Sequence, residues 1–185
     1  FDSVRQFLNS NVPKAILERA SIDEFFLDVT ASIEDDEIDS EAVQQAMEQT
    51  STVGQKETIA GEDPEEATTM LADDYERARL ERGCFVAHSI RTNVYEKLGF
   101  TMSAGIGTNK TIAKLSATYG KPKGQAVCFD VEWILNDTPV SKCRNLGGKL
   151  GSAVQKLLPP SATNPTVGSI ARYLSLHDLR KGLSS

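Results

Sequence analysis

Glu18-Arg19-Ala20-Ser21-Ile22-Asp23-Glu24-Phe25-Phe26-Leu27-Asp28-Val29-Thr30 carries the local signal from which the rest of the chain can be read. At its centre an adjacent acidic pair, Asp23-Glu24, interrupts a β-prone run of Ile, Phe, Leu and Val. Ionised carboxylates beside apolar partners lose hydration, which is unfavourable unless something compensates. Neighbouring side chains of a regular strand point to opposite faces. Asp23 has the parity of Phe25, Leu27 and Val29, and Glu24 that of Phe26 and Asp28. Both acids reach one point only if the chain bends beside them. The pattern therefore predicts a hairpin, with one strand in 15–20, the other in 25–29 and the acids at the turn. From the residues alone the turn holds either two solvated acids or two ligands of a divalent cation. Mg²⁺ takes one or two protein carboxylates and completes its shell with water and substrate phosphates, as in two-metal phosphoryl transfer.

Outward from the hairpin, residues 3–9 read as the end of a helix, with Val4 and Leu8 four apart. Residues 31–78 are rich in Glu, Asp, Gln, Thr and Ser and hold no aromatic before Tyr75. Such a stretch buries too little apolar surface to offset its ordering entropy. It is expected to be a mostly disordered acidic insertion with transient helix around 41–49. A tolerated surface insertion is one reading, since long loops add little closure entropy; a partner-binding or DNA-mimicking segment is the other. Val86, Ile90, Val94 and Leu98 then recur at spacing four, predicting a helix over 75–98 with Gly99 as its left-handed C-terminal cap. A strand over 100–104, a tight Gly105-Ile106-Gly107 connection, a helix over 109–119 ended by Gly120 and Pro122, and a strand over 125–129 follow. That order suits an α+β fold with helices on one face of an antiparallel or mixed sheet.

The net charge of −6 is unevenly distributed. Residues 31–78 hold 15 acidic residues against Lys56 and Arg77, a net of −13, and the remainder carries +7. One acidic segment thus masks a basic remainder, the electrostatic footprint of a nucleic-acid binder. Apolar content of 39% supports a core. No run approaches the roughly 18 apolar residues of a membrane span, so no membrane partner is expected. Cys84, Cys128 and Cys143 are far apart and odd in number, against a disulfide framework. Cys84 and His88 could share a helix face, but without a second ligand pair they read as packing residues. Phe1 at the start, and Leu183-Ser184-Ser185 soon after a helical pattern, read as the ends of an internal piece of a longer chain.

Gly105-Ile106-Gly107-Thr108-Asn109-Lys110-Thr111 mimics a phosphate loop but lacks the Gly before Lys and completes no G-x-G-x-x-G. Its lysines are better signals. Lys110 and Lys114 share a helix face, with Ile112 and Leu115 turned toward a core; a solvated basic face is the alternative. Lys121 follows, held extended by Pro122. Farther on, residues 139–158 read as helix, glycine hairpin, helix around Leu146-Gly147-Gly148-Lys149-Leu150-Gly151. Glycines admit a close phosphate, and N–H groups at a helix start donate to it. Such contacts position DNA without reading its sequence; a packing turn is the alternative. Segments 167–174 and 178–183 read as further helices.

Three segments now stand in order: the acidic stretch, Ser103-Ala104-Gly105-Ile106-Gly107-Thr108-Asn109-Lys110 with Ala113-Lys114-Leu115 and Lys121-Pro122, and Leu146-Gly147-Gly148-Lys149-Leu150-Gly151. Together they resemble the palm and the start of the thumb of Y-family translesion DNA polymerases, the eta branch above all, over roughly 1–30 and 80–160. The resemblance implies a partial palm over 1–130, interrupted by the acidic insertion 31–78, and an all-α helix-hairpin-helix thumb segment over 131–185. It implies nucleotidyl transfer from dNTP to a primer 3′-hydroxyl opposite damaged template bases. Asp23 would bridge two Mg²⁺ ions, with Mn²⁺ a substitute, and Glu24 would hold the one that activates the hydroxyl. Lys121 would bind the triphosphate, with Lys114 a weaker candidate for the same cluster or for a salt bridge to the active-site acids; Gly147, Gly148, Lys149 and Gly151 would grip the duplex backbone. Primer–template DNA and dNTP are the implied partners, with a sliding clamp reached through C-terminal regions outside this chain, and the nucleus the implied location. The family's first metal-binding acid, steric gate and fingers would lie upstream, so these residues alone are expected to be inactive. Phe25-Phe26 departs from the Ala-Tyr frequent in the eta branch. The other reading is a non-catalytic DNA-binding module with a degenerate palm and an acidic partner-binding loop.

Overall fold

The structure is a computed structural model describing residues 1–35, 38–54 and 64–183. The chain divides into two compact units, Phe1–Phe129 and Asp130–Ser185.

The first unit is mixed α+β. Helix α1 (Asp2–Asn11) leads into strands β1 (Ile16–Arg19) and β2 (Phe25–Asp28), then α2 (Thr30–Asp35), α3 (Ser40–Glu48) and β3 (Thr50–Val53). The long helix α4 (Pro64–Leu98), β4 (Ala104–Ile106), α5 (Lys110–Ser116) and β5 (Gln125–Cys128) complete it. β1 and β2 form the antiparallel hairpin that parity predicts, with Leu17 opposite Leu27 and Arg19 opposite Phe25. The strands β3, β5 and β4 form a parallel sheet with β5 in the middle. The sheets are thus one antiparallel pair and one parallel trio.

Strand alternation puts Leu17, Phe25 and Leu27 on the hairpin face that packs on a core of Val4 and Leu8 from α1, Val12 just after it, Ile33 from α2, and Val86, Ile90 and Val94 from α4. The spacing of four along α4 is what aligns its three residues on one face. An adjacent stripe of the same helix, Leu80 and Cys84, packs on Val127 of the parallel sheet. Gly99 closes α4 at φ 71°, its N–H donating to Tyr95 O, as the sequence predicts.

The acidic segment departs from expectation in being ordered over its described residues, while the helix expected around 41–49 is present as α3. Over its described residues it holds α2, α3, β3 and the start of α4; residues 36–37 and 55–63 lie outside the described residues. Composition averaged over the whole segment hides a short amphipathic period. Val43, Ala46 and Met47 repeat at three and four; Ala46 is buried, and Met47 packs against the Leu80–Cys84–Val127 cluster. Asp39 caps α3 by accepting from Glu41 N at 3.0 Å. A helix of so few apolar residues is held because α4 supplies the opposite wall. The strand predicted over 100–104 forms later, at Ala104–Ile106. Met102 O instead accepts from Arg91 Nε at 3.0 Å, so β-prone residues serve as a loop.

The second unit is all-α over its described residues: α6 (Val131–Asp137), a 3₁₀ turn (Val140–Lys142), α7 (Lys149–Leu157), α8 (Val167–Tyr173) and α9 (Leu176–Leu183). The first arm of the predicted helical hairpin shrinks to that one turn. Backbone bonds Val140 N to Pro165 O, 3.1 Å, and Val167 N to Thr138 O, 2.8 Å, engage the chain on both sides of Pro139. The helix before it, α6, is one the sequence reading missed, although Asp130 caps it through Trp133 N at 2.9 Å.

Candidate functional site

Residues 20–24 turn the hairpin, and Ser21 builds the turn. Its Oγ accepts from Asp23 N at 3.3 Å and Glu24 N at 3.1 Å and donates to Asp23 Oδ1 at 2.7 Å. Glu24 O in turn accepts from Ala20 N at 2.9 Å and Ser21 N at 3.1 Å. A short hydroxyl two residues before the acids is the local side-chain-to-backbone pattern that competes with a continuing strand. It was the sequence signal for this turn, and parity alone did not use it.

Both acids are exposed and line a cleft of about 530 Å³ within the first unit. The hairpin, the inner face of α4, β4 and the loop into α5 wall the cleft, bringing Asp23, Glu24 and Asp28 together with Arg79, Lys110 and Lys114. Across it α5 is tied to the hairpin by two ion pairs, Lys110 to Glu18 and Lys114 to Glu24. The Lys110 ammonium also stands 5.8 Å from the centre of the Phe26 ring. The basic face of α5, which the sequence leaves open as a merely solvated one, is paired.

Asp28 has a different task. Its Oδ1 accepts from Thr30 N at 3.0 Å, at the start of α2. Hydrogen bonds from the Thr30 backbone and hydroxyl hold its pKa below the ordinary carboxylate value, and Arg79 and Lys110 add to that. It serves as a helix-start acceptor rather than a third member of the acidic turn.

The glycine run before α5 is a packing device. A Cβ on Gly105 would stand 2.0 Å from Ala113 O, and one on Gly107 would stand 2.7 Å from Ile112 Cγ2. Asn109 Oδ1 accepts from Thr111 N at 3.0 Å and Ile112 N at 3.1 Å, occupying the donors a phosphate would need. Lys121 is exposed in the turn after α5 and is not among the residues lining the cleft.

Two adjacent carboxylates on one turn are a hard-oxygen donor set suited to a small divalent cation. Among the described residues no group of three or more His, Cys, Asp or Glu is gathered that could hold a metal. Among the described residues an ion at the turn would have Asp23 and Glu24 as its carboxylate ligands. Cys84 is no ligand candidate: burial pushes its thiol up to about 12. Burial, with Arg91 nearby, lowers the pKa of His88.

In the second unit Gly148 and Lys149 begin α7, exposed and with no side-chain cap on the helix. A Cβ on Gly148 would meet nothing within 4 Å, whereas one on Gly151 would stand 1.7 Å from Leu146 O and one on Gly147 3.1 Å from Ser141 O. Gly151 is thus required for close packing within the turn, and Gly148 leaves its backbone open. Among the described residues no helix is long and apolar enough to cross a membrane.

Residues 2–118 match the impB/mucB/samB family. The chain is 33% identical over 166 residues to DNA polymerase eta of Arabidopsis thaliana, spanning 84% of this chain and 24% of that protein. It is 31% identical over 168 residues to DNA polymerase eta of Drosophila melanogaster, spanning 77% of this chain and 19% of the relative. The chain thus spans about a quarter or less of these relatives. Among solved structures, an insertion ternary complex of Dbh DNA polymerase superposes with TM-score 0.52 at 23% identity, covering 84% of this chain and 33% of that one. A chimeric Y-family DNA polymerase gives 0.53 at 20% identity, covering 99% and 42%. The fold, the acidic turn and these matches agree: the chain belongs to the impB/mucB/samB family.

Proposed function

We propose that this chain supplies the acidic centre and a DNA-contacting segment of a translesion DNA polymerase. The observation that carries this reading is the Asp23-Glu24 turn, whose exposed carboxylates line a cleft opposite the lysines of α5. Divalent cations, Mg²⁺ with Mn²⁺ as substitute, would supply Lewis-acid charge to nucleotidyl transfer when bound there. Asp23 and Glu24 hold them, and Ser21 orients Asp23. Lys114, which lines the cleft, meets the triphosphate of the incoming dNTP as a point charge, and Lys121, beyond that lining, is assigned to it by the resemblance alone. Gly148 and Lys149, at the start of α7, take a phosphate of the primer–template backbone; Gly147 and Gly151 shape the turn that presents them. The relatives named DNA polymerase eta support a DNA polymerase; synthesis opposite damaged bases, a nuclear location and a sliding clamp complete the proposal by resemblance to that branch.

The test is primer extension on undamaged and thymine-dimer templates by the polymerase polypeptide carrying these residues, beside its Asp23→Ala and Glu24→Ala variants. Both variants are expected to lose about a thousandfold or more of extension, the loss of several kcal/mol of charge stabilisation. DNA affinity should stay within about twofold. Near-normal extension by either variant refutes the assignment; extension on undamaged template alone keeps the polymerase and removes the translesion role.

A further inference from the structure

The ion pair between Lys114 and Glu24 joins two rigid roots. Glu24 hangs from a turn whose backbone is bonded three ways: its N–H to Ser21 Oγ at 3.1 Å, and its carbonyl to Ala20 N at 2.9 Å and Ser21 N at 3.1 Å. Lys114 stands on a helix seated so closely on β4 that Gly105 has no room for a Cβ. Neither backbone has slack, so only the two side chains can exchange partners. Both are partly in solvent, Lys114 at 39% and Glu24 at 48% side-chain exposure, so a small hydrated ion can reach them.

We infer that Lys114 is a built-in competitor at the acidic turn: its ammonium and an arriving divalent cation compete for the same Glu24 carboxylate. This rests on the cation reading of Asp23 and Glu24 proposed above. Glu24 Oε1 is the acceptor of the Lys114 ammonium. A dication bound there while the ammonium stays would place two positive centres on one carboxylate. Exchange avoids that repulsion. The carboxylate passes from ammonium to cation, and the freed ammonium, still lining the cleft, faces the phosphate oxygens that arrive with a nucleotide. No covalent bond changes, and each carboxylate keeps a counter-charge throughout. Lys114 is therefore a positioning residue that delays tight cation binding until a polyphosphate offers its ammonium another partner. Lys110 is the internal control. It sits on the same helix in a matching ion pair, but its partner Glu18 lies on β1, outside the acidic turn.

The test is direct Mn²⁺ binding, read by electron paramagnetic resonance without nucleotide or DNA. The purified chain is compared with Lys114→Met, Lys114→Arg and Lys110→Met. An Asp23→Asn/Glu24→Gln double variant serves as the baseline that subtracts ions held elsewhere. Lys114→Met is expected to tighten the turn-dependent Mn²⁺ affinity by about two- to fivefold, the worth of a solvent-exposed ion pair. Lys114→Arg, which keeps the pair, and Lys110→Met should bind like the parent chain. Unchanged or weakened binding in Lys114→Met overturns the competition, as does equal tightening in Lys110→Met, which would report only the loss of one positive charge. If the parent chain and the double variant bind Mn²⁺ identically, the cation reading of the turn falls as well. The baseline thus separates that failure from a failure confined to Lys114.

Discussion

Gln125, wholly buried on the central strand β5, accepts a hydrogen bond at 3.0 Å from Arg91 Nη1 of α4. Its amide also donates to Thr50 Oγ1 at 2.7 Å and to Cys84 O at 3.0 Å. One amide therefore joins β3, β5 and α4, while Arg91 also donates from Nε to Met102 O and from Nη2 to Lys123 O. Burial lowers the pKa of Arg91, and these acceptors satisfy the donors of its guanidinium. This network fixes the wall of the cleft opposite the hairpin. Replacing Gln125 by Leu would keep the volume but remove the donor to Cys84 O, the acceptor of Arg91 Nη1 and one of the two partners of Thr50 Oγ1, which still donates to Ala46 O. Unsatisfied buried polar groups are expensive, and the expected loss is about 3 kcal/mol in urea unfolding. A loss below about 1 kcal/mol would show that the network contributes little.

The glycines of the second unit separate packing from phosphate contact. Gly151→Ala would drive a methyl to 1.7 Å from Leu146 O, while Gly148→Ala meets nothing within 4 Å. The first should destabilise the turn by about 3 kcal/mol, at the upper end for overpacking. The second should leave thermal unfolding nearly unchanged and weaken duplex binding, because its new methyl stands beside the open N–H groups at the start of α7. Equal effects of both variants on unfolding would contradict the Cβ geometry.

Asp28 predicts an acid-sensitive contribution at the hairpin exit. Its pKa in the folded chain lies below the ordinary 3.8, first because of the Thr30 backbone and hydroxyl hydrogen bonds and then because of Arg79 and Lys110. A depressed acid stabilises the fold above its unfolded value, and that stabilisation is lost as pH falls through the folded value. Asp28→Asn keeps an acceptor for Thr30 N but has no charge to titrate. Denaturation midpoints from pH 6 down to pH 2 should therefore fall less steeply for Asp28→Asn than for the parent. Parallel profiles would remove Asp28 from the acid response.

The three cysteines should differ in reactivity. Cys84 and Cys128 are fully buried and the Cys84 thiol is pushed up to about 12, whereas Cys143 is partly exposed. Thiolate is the reactive form, and access governs its rate. At pH 8 a disulfide reagent should titrate Cys143 promptly and the other two only after denaturation. Prompt reaction of Cys84 would mean that α4 opens locally.

Several features were legible in one dimension because their causes are local. Asp23 and Glu24 have opposite strand parity, so a bend was required for both to reach one point, and a bend is there. The α4 stripe and its Gly99 cap follow from helical period and backbone sterics. The helix start at Asn109, missed by one residue in 109–119, is a cap rather than a first turn. The helix expected around 41–49 is there as α3, but the order of the other described residues of the acidic segment was missed, because composition sums over a window whereas three spaced residues of α3 suffice once α4 lies beside them. The 100–104 strand was misplaced because β-prone side chains do not choose their hydrogen-bonding partner.

By itself, then, the sequence determined the hairpin with its acidic turn, the amphipathic helices and the segregation of charge, each a consequence of side-chain period or backbone freedom within a few residues. The tertiary structure decided which charges meet. Lys114 and Glu24 are 90 positions apart and Lys110 and Glu18 are 92 apart. Their meeting depends on how closely α5 seats on β4, a distance set by a missing Cβ at Gly105 rather than by any charge. The roles of the glycines were settled in the same way. Gly105 and Gly151 are needed where backbone meets backbone, Gly148 is not, and only packing in three dimensions distinguishes them.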